Sequence, residues 1–435
     1  MTAVVCKNLS KICQDWGIMK KSLFGYGGTT RALAKSGGWQ IYDDKFSEIA
    51  RDEFGNELLP VGKFDASKSE LEIPSPGIPP HHELIKKARN LISEYDYFAD
   101  KMPFSVWISG TNGKTTTTKM TQHLLAKFDS VMGGNVGIAL GELDAHAKIW
   151  VLETSSFTLH YTKHAKPDIY VLLPITPDHL TWHGDMKAYE QAKLKPLGMM
   201  SENGVAILPE IYAKTPTLAK VISYKDESDL VKFCGVSTSE VKFKTPFLID
   251  ALLALSVQKI LLDRCDVSAL NEFVIEANKL EEFTDRYGRV WVNDTKATNI
   301  DAAVQAIHRY EGKFLHLILG GDDKGVQMSE LFEALSGVKV QIYAIGSNTA
   351  KLMALADKFG VRATACEFLE VAVKKIDENF KKSELNLDIS GTANTAINLN
   401  DADEIALLSP AAASLDQFKS YAQRGDKFKE FVGNL

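Results

Sequence analysis

Val106-Trp107-Ile108-Ser109-Gly110-Thr111-Asn112-Gly113-Lys114-Thr115-Thr116-Thr117-Thr118 decides how this chain is read. The apolar trio Val106–Ile108 predicts a buried strand, and the residues from Lys114 onward predict a helix ending near Leu125. Between them, Gly110 and Gly113 let the backbone curl so that its N–H groups face phosphate oxygens. The helix N-terminus adds a partial positive charge there. Lys114 is placed to reach the β- and γ-phosphates of a nucleotide, and Thr115 to offer its hydroxyl to Mg²⁺. The common form of this loop has a glycine five residues before Gly113. Ile108 stands there, so the loop is of the shortened G-x-x-G-K-T kind.

Outward from this loop, 435 residues are too many for one ordinary domain, and ~150 residues per domain predicts about three. The apolar fraction of 45% and charged fraction of 24% are those of globular protein able to bury a core in each domain. A net charge of -6 argues against nucleic acid or an anionic membrane surface as the main partner. Cys6, Cys13, Cys234, Cys265 and Cys366 form no C-x-x-C pair, which points to a reducing compartment. No apolar run approaches the ~20 residues of a membrane span, and the N-terminus lacks a signal-peptide pattern. Residues 1–18 read as an extension, with Met19 as an alternative start.

Three segments each alternate strands and helices. In the first, a strand at Ser22–Phe24, glycines 25, 27 and 28, a helix from Thr30 to Lys35, and a strand Trp39–Tyr42 ending in Asp43-Asp44 predict a nucleotide-binding βαβ opening. The spacing is G-x-G-G, so a plain βα turn, or on this feature alone a nicotinamide-dependent oxidoreductase, stays open. Pro74-Ser75-Pro76-Gly77-Ile78-Pro79-Pro80 predicts a rigid loop after a short strand.

In the second segment, further strands are expected at Ile149–Leu152, Ile169–Leu173 and Val205–Leu208, and a helix around Asp250 to Asp263. Short apolar runs without alternation fit parallel strands covered on both faces. In the third, strands are expected at Val290–Val292, His316–Leu319, Gln341–Ile345 and Ile405–Leu408. The fold class is therefore α/β, with doubly wound sheets.

Glu153 ends the strand Ile149–Leu152, where a Mg²⁺ ligand beside a phosphate loop belongs. Asn135 lies on a glycine-flanked turn. His179 follows another strand and is a candidate metal ligand. A zinc site pairing it with His183 is disfavoured, because Pro177 and Gly184 oppose a regular helix across them. Lys193, among other lysines on a helical stretch, reads on its own as a solvated side chain. Ser409-Pro410 reads as a helix N-cap and first turn.

Taken together, Gly110–Thr115, Glu153-Thr154-Ser155-Ser156-Phe157, Asp178-His179, Asn293–Asn299 and Leu408–Phe418 resemble the Mur ligases in order and spacing from about Ser22 to the C-terminus. Ser75-Pro76-Gly77-Ile78 fits the branch that adds D-glutamate. The resemblance implies a Rossmann-like UDP-binding domain over 1–100, a central phosphate-loop ATPase domain over 101–276, and a Rossmann-like amino-acid-binding domain over 277–435. It implies a cytoplasmic, monomeric enzyme of peptidoglycan precursor synthesis. ATP phosphorylates the carboxylate of UDP-N-acetylmuramoyl-L-alanine, and the amine of D-glutamate captures the acyl phosphate. Positioning and charge neutralisation then carry most of the catalysis.

Residue by residue, it implies ATP contacts at Gly110, Thr111, Asn112, Gly113, Lys114, Thr115, Thr116, Lys279 and Asp294. Thr115, Glu153, His179 and a carbamylated Lys193 would serve two Mg²⁺ ions. Lys114, Lys193, His179 and Lys296 would be catalytic. Thr298, Lys324, Ser414 and Tyr421 would bind D-glutamate. Gly28, Thr29, Asp43, Asp44, Lys45, Ser75, Gly77 and Asn135 would bind the UDP-linked substrate.

Two departures are visible. Asn278-Lys279 replaces the family's His-Arg, and Pro246–Asp250 replaces its adenine-binding asparagines, leaving Asp250 as the candidate adenine acceptor. Two rival readings remain: a folate polyglutamate ligase, disfavoured by the Ser75-Pro76-Gly77 loop, and a phosphate-loop NTPase switch.

Overall fold

The computed structural model describes residues 19–388 and 404–435. The 1–18 extension, with Cys6 and Cys13, lies outside the described residues. Two compact units are present, residues 1–273 and 274–435. No helix among the described residues is long and apolar enough to cross a membrane.

The first unit holds two sheets. One contains β1 (Lys20–Phe24), β2 (Trp39–Tyr42), β3 (Ala50–Arg51), β4 (Glu57–Leu59) and β5 (Ser69–Pro74) in the order β3-β4-β2-β1-β5. Only β3 runs antiparallel to its neighbour. Leu23, Ile41 and Ile73 enter one core and Phe24, Tyr42 and Leu59 another. Adjacent residues of β1 are thus buried on opposite faces, which is why its run lacks polar alternation. The expected helix is present as Gly28–Ala34.

The other sheet is wholly parallel: β6 (Phe104–Ser109), β7 (Ser130–Gly134), β8 (Ile149–Glu153), β9 (Ile169–Leu172), β10 (Val205–Pro209) and β11 (Lys220–Tyr224), ordered β11-β10-β9-β6-β8-β7. β6 lies where the strand order reverses, so loops diverge around its C-terminal end and leave a crevice there. The helix Phe247–Leu262 has Asp250 through Gln258 all buried and packs on the phosphate-loop helix Lys114–Leu125. A helix apolar on every face belongs in a core.

The second unit contains β12 (Glu281–Thr284), β13 (Val290–Asn293), β14 (Phe314–Gly320), β15 (Val340–Ile345), β16 (Ala363–Glu367) and β17 (Glu404–Leu408), ordered β12-β13-β17-β14-β15-β16. All pairings are parallel except β12 with β13. The expected strands all form. β3, β4, β7, β11, β12 and β16, each with exposed or half-buried positions, were not expected.

Glu94 opens a short helix after β5 and is 5% exposed. Burial pushes its carboxyl up to about 8, against the opposing pull of the Gly141 and Leu140 backbone N–H groups. A carboxyl raised in the folded state favours folding while protonated. Stability falls as pH rises past the unfolded value near 4.5, and the loss is complete at the folded value of about 8. Glu94→Gln removes this titration. Between pH 5 and 8 the wild-type melting temperature should fall relative to that of the variant, as followed by thermal denaturation across pH.

Candidate functional site

At the C-terminal end of β6 the chain turns through Gly110 (φ +142°) and Gly113 (φ +83°). A Cβ on Gly110 would lie 2.5 Å from Leu173 Cβ, and one on Gly113 would lie 2.3 Å from Asp250 Oδ1. Both positions therefore require glycine, for left-handed backbone and for space. Thr111 anchors the loop. Its hydroxyl donates to Thr176 O at 3.0 Å and accepts from Thr176 N at 2.9 Å. Lys114 Nζ donates to Thr111 O at 2.6 Å, close by the loop it is expected to serve.

Beneath the loop, Asp250 is buried, and its Oδ1 accepts from Thr117 Oγ1 at 3.1 Å. The side chain expected to meet adenine thus contacts the phosphate-loop helix. Thr116 is buried in the same helix, and Asn112 is half-buried in the loop.

Glu153 ends β8, hydrogen-bonded alongside β6, and is 2% exposed. Thr115 Oγ1 donates to its Oε2 at 2.7 Å, and Asn135 Nδ2 donates to its Oε1 at 2.6 Å. Strand pairing thus gathers three residues that lie far apart in sequence. A carboxylate and a hydroxyl are the hard oxygen donors Mg²⁺ prefers. Among the described residues no group of three or more His, Cys, Asp and Glu side chains could cage a metal. The donor set fits an ion that keeps waters and takes phosphate oxygens, not an all-protein cage.

Lys193 lies in the helix Met186–Leu194 and is 1% exposed, correcting its solvated reading. Its Nζ donates to Gly110 O at 2.6 Å and sits 4.7 Å from the centre of the Tyr189 ring. Burial, followed by the charge of Lys114, holds its pKa well below the ordinary lysine range, while Asp178 and Glu153 pull it back up. Sequence gave no burial signal here, because the lysines on either side are more exposed.

His179 is exposed, left-handed (φ 52°) and 3.5 Å from Asp178 Oδ2. It caps a single four-residue turn of helix, Leu180–His183, which Gly184 ends, so no regular helix spans both histidines. His183 Nε2 lies 2.9 Å from Ser156 Oγ.

In the β1–β5 sheet, Tyr26 N donates to Asp43 Oδ2 at 2.6 Å, fixing the glycine turn to the end of β2. Asp44 Oδ2 is 3.2 Å from His82 Nε2. Gly28 is exposed, Thr29 half-buried, and Ser75 lies beside Gly27, where an added Cβ would stand 3.0 Å from Ser75 Oγ. Lys45 donates its backbone N–H to Asp43 Oδ1 at 2.9 Å.

The second unit gathers its own set at the C-terminal ends of β13, β14 and β17. Asp294 is buried, accepting from Ser409 Oγ at 2.8 Å and Leu280 N at 3.2 Å. Burial pushes its carboxyl up to about 7, against those bonds and the charge of Lys279. No helix starts at Ser409-Pro410, contrary to expectation; the next begins at Tyr421, with Ser420 as its cap. The Ser409 hydroxyl serves Asp294 instead. Lys279 Nζ pairs with Glu276 at 3.2 Å. Lys296 Nζ sits 4.1 Å from the centre of the Tyr421 ring. Thr298 and Lys324 are exposed, and Ser414 is buried.

Arg424, missed in the sequence, ties these loops together. Its guanidinium donates to Thr295 Oγ1 (2.9 Å), Thr295 O (3.1 Å), Ala412 O (3.1 Å), Ala413 O (3.3 Å) and Gly320 O (3.5 Å). It is 1% exposed, and burial lowers its pKa to about 10. Only a planar fork could span these acceptors. A lone Arg in a polar helix carries no such signal.

Residues 108–245 match the Mur ligase middle domain. Across 96% of this chain and the whole of that protein, it is 54% identical to a UDP-N-acetylmuramoylalanine--D-glutamate ligase of Campylobacter jejuni. The chain belongs to the Mur ligase family. A Helicobacter pylori ligase of the same name is 43% identical over 95% of this Mur ligase and 99% of its own length. The crystal structure of MurF from Acinetobacter baumannii superposes with a TM-score of 0.58 over 96% of this chain and 92% of that one, at 14% identity, a likeness of fold.

Gly113→Ala places a methyl group against Asp250 in a left-handed conformation. Nucleotide affinity, measured by calorimetry with Mg²⁺ and a non-hydrolysable ATP analogue, should fall by more than about tenfold.

Proposed function

We propose that this chain is an ATP-dependent ligase that adds D-glutamate to UDP-N-acetylmuramoyl-L-alanine through an acyl phosphate, in cytoplasmic peptidoglycan precursor synthesis. The observation that carries the reading is the constellation of Lys114, Thr115, Glu153 and buried Lys193 around one phosphate loop, in a chain so similar to ligases of that name. We read the three sheets as three functional domains, 1–100, 101–276 and 277–435, in a monomer.

The loop N–H groups and Lys114 hold the triphosphate and neutralise charge as the γ-phosphoryl group is transferred. Thr115, Glu153, His179 and a carbamylated Lys193 would hold two Mg²⁺ ions, which would supply neutralisation of the charge that builds during transfer. As an ammonium Lys193 cannot ligate. Its lowered pKa favours the free amine, which captures carbon dioxide as a carbamate and then offers oxygens. Asn135 orients Glu153 and meets the UDP-linked substrate, whose nucleotide end is held by Gly28, Thr29, Asp43, Asp44, Ser75 and Gly77. In the second unit Asp294 accepts from the ATP ribose, and Lys279 faces phosphate. Thr298, Lys324, Ser414 and Tyr421 hold D-glutamate, and Lys296 is the cation this unit brings to the reaction.

ADP and phosphate release should require ATP, the UDP-linked precursor and D-glutamate together. Equal turnover with L-glutamate, or release without any amino acid, overturns the assignment. Lys193→Ala should cost on the order of 100-fold in turnover, with partial recovery on adding short carboxylic acids. An unimpaired variant excludes the carbamate role.

A further inference from the structure

Trp182 and Tyr161 clasp a loop from the neighbouring sheet. Trp182 Nε1 donates to Gly77 O at 3.2 Å, and Tyr161 OH donates to Ile78 O at 2.6 Å. Both acceptors lie in the loop after β5 that carries Ser75 and Gly77. Both donors belong to the β6–β11 part of the same compact unit: Tyr161 ends the helix Ser156–Tyr161, and Trp182 lies in Leu180–His183.

Trp182 is also the centre of an aromatic stack. Its ring lies 4.5 Å from Phe157, 4.5 Å from His183, 5.2 Å from His160 and 5.9 Å from Tyr161. Its backbone N–H donates to His179 O at 3.0 Å, and Phe157 packs against the His179 ring at 4.8 Å. One rigid side chain therefore touches the backbone of the substrate loop at one end and the turn bearing His179 at the other. The Gly77 carbonyl is at the surface, where water would satisfy it equally well. The Trp182 bond is thus a positional constraint more than a source of stability.

We propose that Trp182 is a positioning residue that couples occupancy of the Ser75–Ile78 loop by the UDP-linked substrate to the geometry of the phosphate-loop site. This rests on the functional reading above. A substrate that draws on the loop's backbone moves Gly77, and the indole transmits the displacement through the stack to Phe157 and His179. Binding at the two sites then becomes mutually dependent, by the same factor in each direction.

The test is Trp182→Phe, which keeps an aromatic ring in the stack and removes the N–H along with part of the indole, with Tyr161→Phe as a second variant that removes only the other clasp's hydroxyl. Calorimetry measures the dissociation constant of a non-hydrolysable ATP analogue with Mg²⁺, alone and with saturating UDP-N-acetylmuramoyl-L-alanine, and the reverse. In wild type each ligand should tighten the other. In Trp182→Phe the precursor should bind about fivefold more weakly, because the loop must be ordered on binding, and the mutual tightening should shrink toward none. Affinity for the nucleotide alone should be unchanged, and Tyr161→Phe should act in the same direction. Unaltered coupling in both variants overturns the proposal, as does equal weakening of nucleotide binding alone, which marks a merely structural role. Failure of wild type to bind the precursor at all overturns the functional reading itself, and the proposal with it.

Discussion

Two buried side chains, Lys193 and Asp250, hold the backbone curl between Ser109 and Lys114. Lys193 donates to the Gly110 carbonyl, and the Asp250 carboxylate accepts from Thr117 and stands where any side chain on Gly113 would have to go. Both are polar side chains taken out of water, and neither would be tolerated in a core without partners. Their cost is offset by those hydrogen bonds, which hold the curl's backbone in one geometry.

The rest of the first unit follows from that curl. β6 must lie in the interior of its sheet for the loop to emerge at the reversal of strand order, and the flanking β8 then delivers Glu153 to Thr115. The helix Phe247–Leu262, buried from Asp250 through Gln258, carries Asp250, so its packing against Lys114–Leu125 is also what sets the carboxyl group under the loop. The second unit solves a similar problem with one guanidinium. Arg424 bonds only to a hydroxyl and carbonyls, and so registers three loops from three different strands against one another.

Much of this was legible in the sequence. The strand–glycine–lysine–helix pattern around Gly110, the apolar runs of the central strands, and the acid at the end of β8 all follow from local chemistry. Edge strands such as β7 and β16 were not legible, because half-exposed strands lack a continuous apolar run. Ser409 was misread because serine before proline has the same signature whether it caps a helix or serves a buried carboxylate. Lys193 looks like a surface charge when only its neighbours in sequence are considered, and Asp250, in an apolar run, carries no mark of the helix it would bond to.

The sequence by itself determined the α/β alternation, the nucleotide loop and the family, since each rests on residue type and spacing within a few turns of chain. Only the tertiary structure decided which charges are buried, which carbonyls Arg424 and Trp182 reach, and that Asn135, Thr115 and Glu153 converge. Those outcomes depend on strand order and on desolvation, which are set by contacts between residues as far as 133 positions apart and leave no local periodicity.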